Sequence, residues 1–155
     1  MTHKPCWPHL RTPVKIGPHT VHASSYTGKW PHLDPPQAAL FLDQAWKGVA
    51  FPVSMRKDLL CVEHWEDRGV VPVPELVSLV DWVIDRLQEG LTVDIGCLGG
   101  HGRTGTVLAA MLANVEALTA AAAITAIRGR YCKEAVEADQ PTLVEEYVTY
   151  RREVG

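Results

Sequence analysis

Apolar positions recur at two periods along this chain, and the change from one to the other marks out its elements. Short β-prone pieces at 14–16 and 20–24 are joined by Gly17-Pro18, which predicts a hairpin. The stretch LDPPQAALFLDQAW at 33–46 predicts a helix, with Asp34 as N-cap and Pro35 and Pro36 in the first turn. VAFPVSM at 49–55 and DLLCVEH at 58–64 are β-prone runs. PELVSLVDWVIDRLQEG at 74–90 has helical spacing: Leu76, Val80, Val83, Ile84 and Leu87 share one face, and Gly90 is placed to end it. LTVDIG at 91–96 predicts a buried strand. A helix follows from Thr104 to about Val115, and TAAAAITAIRGRY and PTLVEEYVTYRREV predict two more.

Strands thus alternate with helices in the middle of the chain, and helices fill its end. That order predicts an α/β domain with a central, twisted, mostly parallel sheet flanked by helices. In such sheets ligands bind where strand C-termini meet helix N-termini. The stretch DIGCLGGHGRTGT at 94–106 occupies such a junction.

Composition narrows the class. The chain has 155 residues, 46% of them apolar, which predicts one globular domain spanning 1–155. A net charge of -3 without a basic block gives no support to a nucleic-acid or membrane-surface role. Cys6, Cys61, Cys97 and Cys132 are dispersed, and neither a secretion signal nor a bilayer-spanning run is evident, so the expectation is a cytoplasmic protein with reduced thiols.

The junction carries chemistry. A thiolate is a good nucleophile, and backbone N–H groups at a helix N-terminus stabilise it. The loop Leu98, Gly99, Gly100, His101 and Gly102 lets successive N–H groups turn inward as an anion cradle, with Cys97 beneath a bound tetrahedral oxyanion. Arg103 adds a planar, permanently charged fork that suits two phosphate oxygens. A nucleotide P-loop needs glycine at the position of Cys97 and lysine at that of Arg103, so that alternative fails twice.

CLGGHGRTGT resembles the signature loop of the cysteine-dependent protein tyrosine and dual-specificity phosphatases. Cys97, Gly100, Gly102, Arg103, Thr104 and Gly105 match it position by position. Gly96 stands where the family usually has a histidine. About thirty residues upstream, WEDRGVVP at 65–72 resembles the family's Trp-Pro-Asp loop through Trp65, Asp67, Gly69, Val70 and Pro72, with Glu66 in place of the proline and one extra residue before Pro72. Gln140 is a weaker echo of the glutamine that positions the hydrolytic water.

The resemblance implies a fold of dual-specificity size and a phosphomonoesterase that works without metal or organic cofactor. Cys97 would be the nucleophile. Arg103 and residues 98–102 would bind phosphate, Asp67 would be general acid and base, and Thr104 would stabilise the departing thiolate. It implies a phosphorylated substrate, above all a phosphoprotein carrying phosphotyrosine-type esters, and a monomeric enzyme. Two alternatives stay open: a pseudophosphatase that captures phosphorylated partners without turnover, and an enzyme for phosphoinositides, nucleotides or RNA 5′ phosphates. His101 is the only cationic candidate inside the loop, which favours a less charged substrate. Tyr26, Trp30 and Trp65 are candidate aromatic walls. His3, Cys6, His9, His19 and His22 have spacings that could suit zinc but are expected at surface or packing positions. Cys61, Cys132 and Trp82 are expected in the core, with either cysteine a possible disulfide partner for Cys97.

Overall fold

The computed structural model describes residues 11–25, 36–42, 60–63, 65–97 and 101–154. Strands β1 (Thr12–Ile16) and β2 (His19–Ser25) form the expected hairpin, antiparallel with Val14 opposite Val21. Its turn rests on Gly17, whose φ of +57° favours glycine and whose missing side chain leaves room for Val115. Strands β3 (Ala38–Phe41), β4 (Leu60–Val62) and β5 (Val93–Cys97) complete a sheet of order β1-β2-β5-β3-β4, parallel in every pairing except β1 with β2. Helices α1 (Val73–Gln88), α2 (Gly102–Val115), α3 (Ala120–Arg130) and α4 (Gln140–Val154) flank it.

The helix expected over 33–46 is not there. Its middle, Ala38–Phe41, is a strand, and residues 33–35 and 43–46 lie outside those described. All four strand residues are buried between β5 and β4. A strand covered on both faces has a continuous apolar run with no period to read, so the preceding prolines looked like a helix start. Its register is fixed at Thr92, whose carbonyl accepts from the N–H groups of Gln37 and Ala38 at 3.1 and 3.0 Å. The β-prone run at 49–55 lies outside the described residues, whereas 58–64 contributes β4.

Helix α1 buries Leu76, Leu79, Val80, Val83 and Leu87, while Ile84 packs at the rim of that face. Gly90 follows the cap with φ +83°, the left-handed geometry that stops the helix. Trp82 is a correction: it is only half-buried at the edge of the core, with the Arg86 guanidinium 5.4 Å from its ring centroid. Helix α2 is enclosed from Gly102 to Ala113, so Arg103, Thr104 and Thr106 are buried with the apolar residues. Thr119 caps α3 by accepting from Ala122 N–H at 3.2 Å. No described helix is long and apolar enough to cross a membrane.

Two polar contacts tie the sheet to the rest. Asp94 on β5 is fully buried and takes both oxygens to Arg11, at 2.9 Å from Nε and 3.0 Å from Nη2. At the other end of the hairpin Glu116 accepts from Gly17 N–H at 2.9 Å and from Arg130 at 2.8 Å, while Arg130 also donates to the Lys15 carbonyl. Removing one partner of a buried pair leaves the other poorly solvated. Asp94→Ala should therefore lower stability by roughly 3 kcal/mol in denaturant titration.

The Glu116 carboxyl is held below its ordinary value, first by Arg130 and then by the Gly17 N–H. It therefore adds stability above the ordinary carboxylate range and loses it as pH falls through the lowered folded value. Water screens this half-exposed pair, so Glu116→Gln should cost at most about 1 kcal/mol at neutral pH. The gap between variant and wild type should close on acidification, as read by thermal melts at neutral pH and below pH ~4.

Candidate active site

The central strand delivers the thiol. Cys97 is the last residue of β5 and is 2% exposed. Beside it, the Gly96 carbonyl accepts from Leu42 N–H at 2.9 Å. The chain enters α2 at Gly102, and the first turn carries Thr104 back over the strand end, where its hydroxyl donates to Cys97 Sγ at 3.2 Å. Leu98, Gly99 and Gly100 lie outside the described residues, and so does the cradle expected of their N–H groups.

Arg103 follows the same turn and is 3% exposed. Its Nη1 donates to the Trp65 carbonyl at 2.7 Å, and its Nη2 lies 3.6 Å from Asp67 Oδ1. The thiol, the arginine, the threonine and the carboxylate expected from sequence are thus linked across three separate segments. Asp67 keeps its side chain 72% exposed, so the carboxylate at this spot can meet a group arriving from solvent.

The loop bearing Asp67 is fastened from below. Trp65 is buried beneath it rather than lining a cleft as an aromatic wall, and its indole N–H donates to the Gly69 carbonyl at 2.7 Å. Gln140, fully buried at the start of α4, donates to that same carbonyl at 3.0 Å. The Gln140 carbonyl oxygen accepts from Glu137 N–H at 2.9 Å and lies 3.2 Å from the Thr106 hydroxyl. That hydroxyl has one hydrogen, which goes to the nearer Gly102 carbonyl at 2.7 Å. Gln140 thus reaches the Asp67 loop through Gly69.

Thr106, though it closes the stretch CLGGHGRTGT, lies outside the matched positions, and Glu137 sits in no motif, so neither is singled out by the sequence. The reason for two motif glycines also became visible only in three dimensions. A side chain at Gly102 would meet Glu137 Cγ at 2.5 Å, and one at Gly105 would meet Ala135 Cβ at 2.5 Å. The segment after α3 is therefore pressed against the first turns of α2.

His101, at the N-cap of α2, turns its Nδ1 toward Cys132 Sγ at 3.2 Å and Glu134 Oε2 at 3.6 Å. Cys132 is buried as expected, and the Cys61 side chain lies outside the described residues, as do His3, Cys6, His9, Tyr26 and Trp30. His19 and His22 fall on β2 and join no cluster of metal-type ligands among the described residues.

No family model matches the chain. Two uncharacterized proteins of Methanocaldococcus jannaschii are similar to it, one 40% identical over 89 residues and the other 36% identical over 88. Each match takes in 56% of this chain and little more than half of the relative, 57% and 54%. Among solved structures, Tk-PTP in its active form superposes with a TM-score of 0.65 at 23% identity, over 94% of this chain and 99% of that one. Human DUSP28 superposes at 0.72 with 11% identity, over 94% and 98%. A human tyrosine phosphatase-like serine/threonine/tyrosine-interacting protein does so at 0.72 with 12% identity, over 92% and 99%. With its parallel sheet ending in Cys97 beneath the first turn of α2, the chain has the fold shared by the protein tyrosine and dual-specificity phosphatases.

Proposed function

We propose that this chain is a cysteine-dependent phosphomonoesterase acting on phosphotyrosine-type esters of proteins. The observation that carries the proposal is the hydroxyl of Thr104 aimed at Cys97 Sγ, with the preceding residue, Arg103, drawn to Asp67. A hydrogen bond to sulfur favours the thiolate both before attack and as a leaving group.

Cys97 Sγ attacks phosphorus, and the bond from phosphorus to the ester oxygen breaks. Asp67 gives its proton to that leaving oxygen. Arg103 holds two equatorial oxygens of the transition state, charge against charge in a site where most of the guanidinium is shielded from water. In the second step Asp67 takes a proton from water as the water oxygen attacks the phosphocysteine. The sulfur–phosphorus bond breaks, and the thiolate returns to the Thr104 hydroxyl. Gln140 enters by holding Gly69, two residues beyond Asp67. The same reading takes the protein as a monomer that works in the cytoplasm without a cofactor.

The fold also serves a neighbour whose name calls it phosphatase-like and interacting, so turnover has to be measured. Cys97→Ser should abolish hydrolysis of an aryl phosphate, at least about a thousandfold, yet retain vanadate or phosphopeptide binding by calorimetry. A wild-type chain that binds phosphopeptides but hydrolyses nothing would establish the capture role instead. Asp67→Asn should slow a poor alkyl leaving group by roughly 100-fold or more, and a good aryl leaving group much less. Equal losses in kcat on both esters would remove Asp67 from the proton-transfer role.

A further inference from the structure

The turn after α3 brings a nitrogen, a sulfur and a carboxylate to one point. His101 Nδ1 lies 3.2 Å from Cys132 Sγ and 3.6 Å from Glu134 Oε2, and the three groups all lie within 4.8 Å of one another. One and the same ring nitrogen faces both partners. Zinc bonds of about 2.0–2.3 Å to N, O and S give tetrahedral edges of roughly 3.3–3.6 Å. The His101 separations, 3.2 Å to sulfur and 3.6 Å to oxygen, lie within about 0.4 Å of the N–S edge of about 3.6 Å and the N–O edge of about 3.3 Å. Glu134 is half-exposed, so a rotation of its side chain brings the remaining edge into range.

The surroundings hold the three groups where they converge. The Glu134 N–H points at Cys132 Sγ at 3.4 Å, the kind of outer contact that settles a metal-bound thiolate. Arg128 clamps the following backbone by donating to the Ala135 and Val136 carbonyls at 2.9 and 2.7 Å. Val136 and Ala138 both hold positive φ, at 62° and 55°, geometries that β-branched valine in particular resists. A turn kept in strained conformations by an arginine fork is one whose shape the fold determines closely. Cys132 is 3% exposed while Glu134 opens to water, which gives a sheltered sulfur and a path of entry.

We propose that His101, Cys132 and Glu134 form a zinc site, with solvent completing the tetrahedron. Thiolate and imidazole select zinc over magnesium or calcium. The site joins His101 to the turn after α3, so a bound ion would staple two segments that lie far apart in sequence. His101 also belongs to the loop expected to bind phosphate, and the test below reads metal binding rather than turnover.

The test titrates the purified chain, carrying Cys97→Ser so that the other thiol of the junction cannot bind, with cobalt(II) as a spectroscopic stand-in and then with zinc. One equivalent of cobalt should produce a near-ultraviolet sulfur-to-metal band with tetrahedral visible absorption, and zinc should displace it. Cys132→Ser should abolish the band and weaken zinc binding at least about 100-fold, and Glu134→Gln should weaken it about tenfold or more. Glu134 is half-exposed, so its variant tests the site even if Cys132→Ser does not fold. A parent protein that shows no such band, or a band unchanged by both substitutions, overturns the proposal.

Discussion

A buried guanidinium must be answered by the protein around it, and Arg103 sets that demand here. Its place in the first turn of an enclosed helix leaves it only 3% exposed. The Trp65 carbonyl and the Asp67 carboxylate come to it instead, and this draws the 65–70 loop onto the start of α2. Once that loop is there, Trp65 fills the space beneath it and Gln140 reaches across from α4 to hold it. One cation thereby organises contacts among three elements far apart in sequence, and the group suited to phosphate is also the one that assembles its own surroundings.

Much of this was legible in the sequence, for physical reasons that differ from element to element. The hairpin announced itself through Gly17, and α1 through apolar spacing closed by Gly90. The thiol and the arginine are legible from what an anion-binding glycine loop requires, whereas Thr104 and Asp67 are legible through the resemblance of their stretches to the phosphatase motifs. Residues 38–41 were misread because a strand buried on both faces has no polar side to betray its period. Trp65 looked like a cleft wall because a sequence does not say which side of a loop faces the core. Thr106, Glu137 and Ala135 were illegible for a related reason: they matter only through what they touch after α2, α4 and the intervening turn have packed.

The two halves of the candidate site are built on different principles. The Cys97 half belongs to the sheet, ends on its middle strand, and inherits the rigidity of the buried parallel pairings on either side. The Asp67 half is a short connection whose working side chain stands in solvent. Such a division suits group transfer, since the attacking atom needs a fixed position while the proton donor must meet leaving groups of varied shape.

The fastening of that second half has an evolutionary corollary. Both donors that secure it, from Trp65 and from Gln140, end on the carbonyl of Gly69. A carbonyl is supplied by every amino acid, so the contact at residue 69 does not depend on the side chains of Glu66 and Val70. Glu66 and Val70 can therefore drift, and the loop can trade one surface character for another, while Trp65 and Asp67 keep it attached and Arg68, at φ 61°, keeps its turn. The chemistry of this rim can change without altering the framework that holds it.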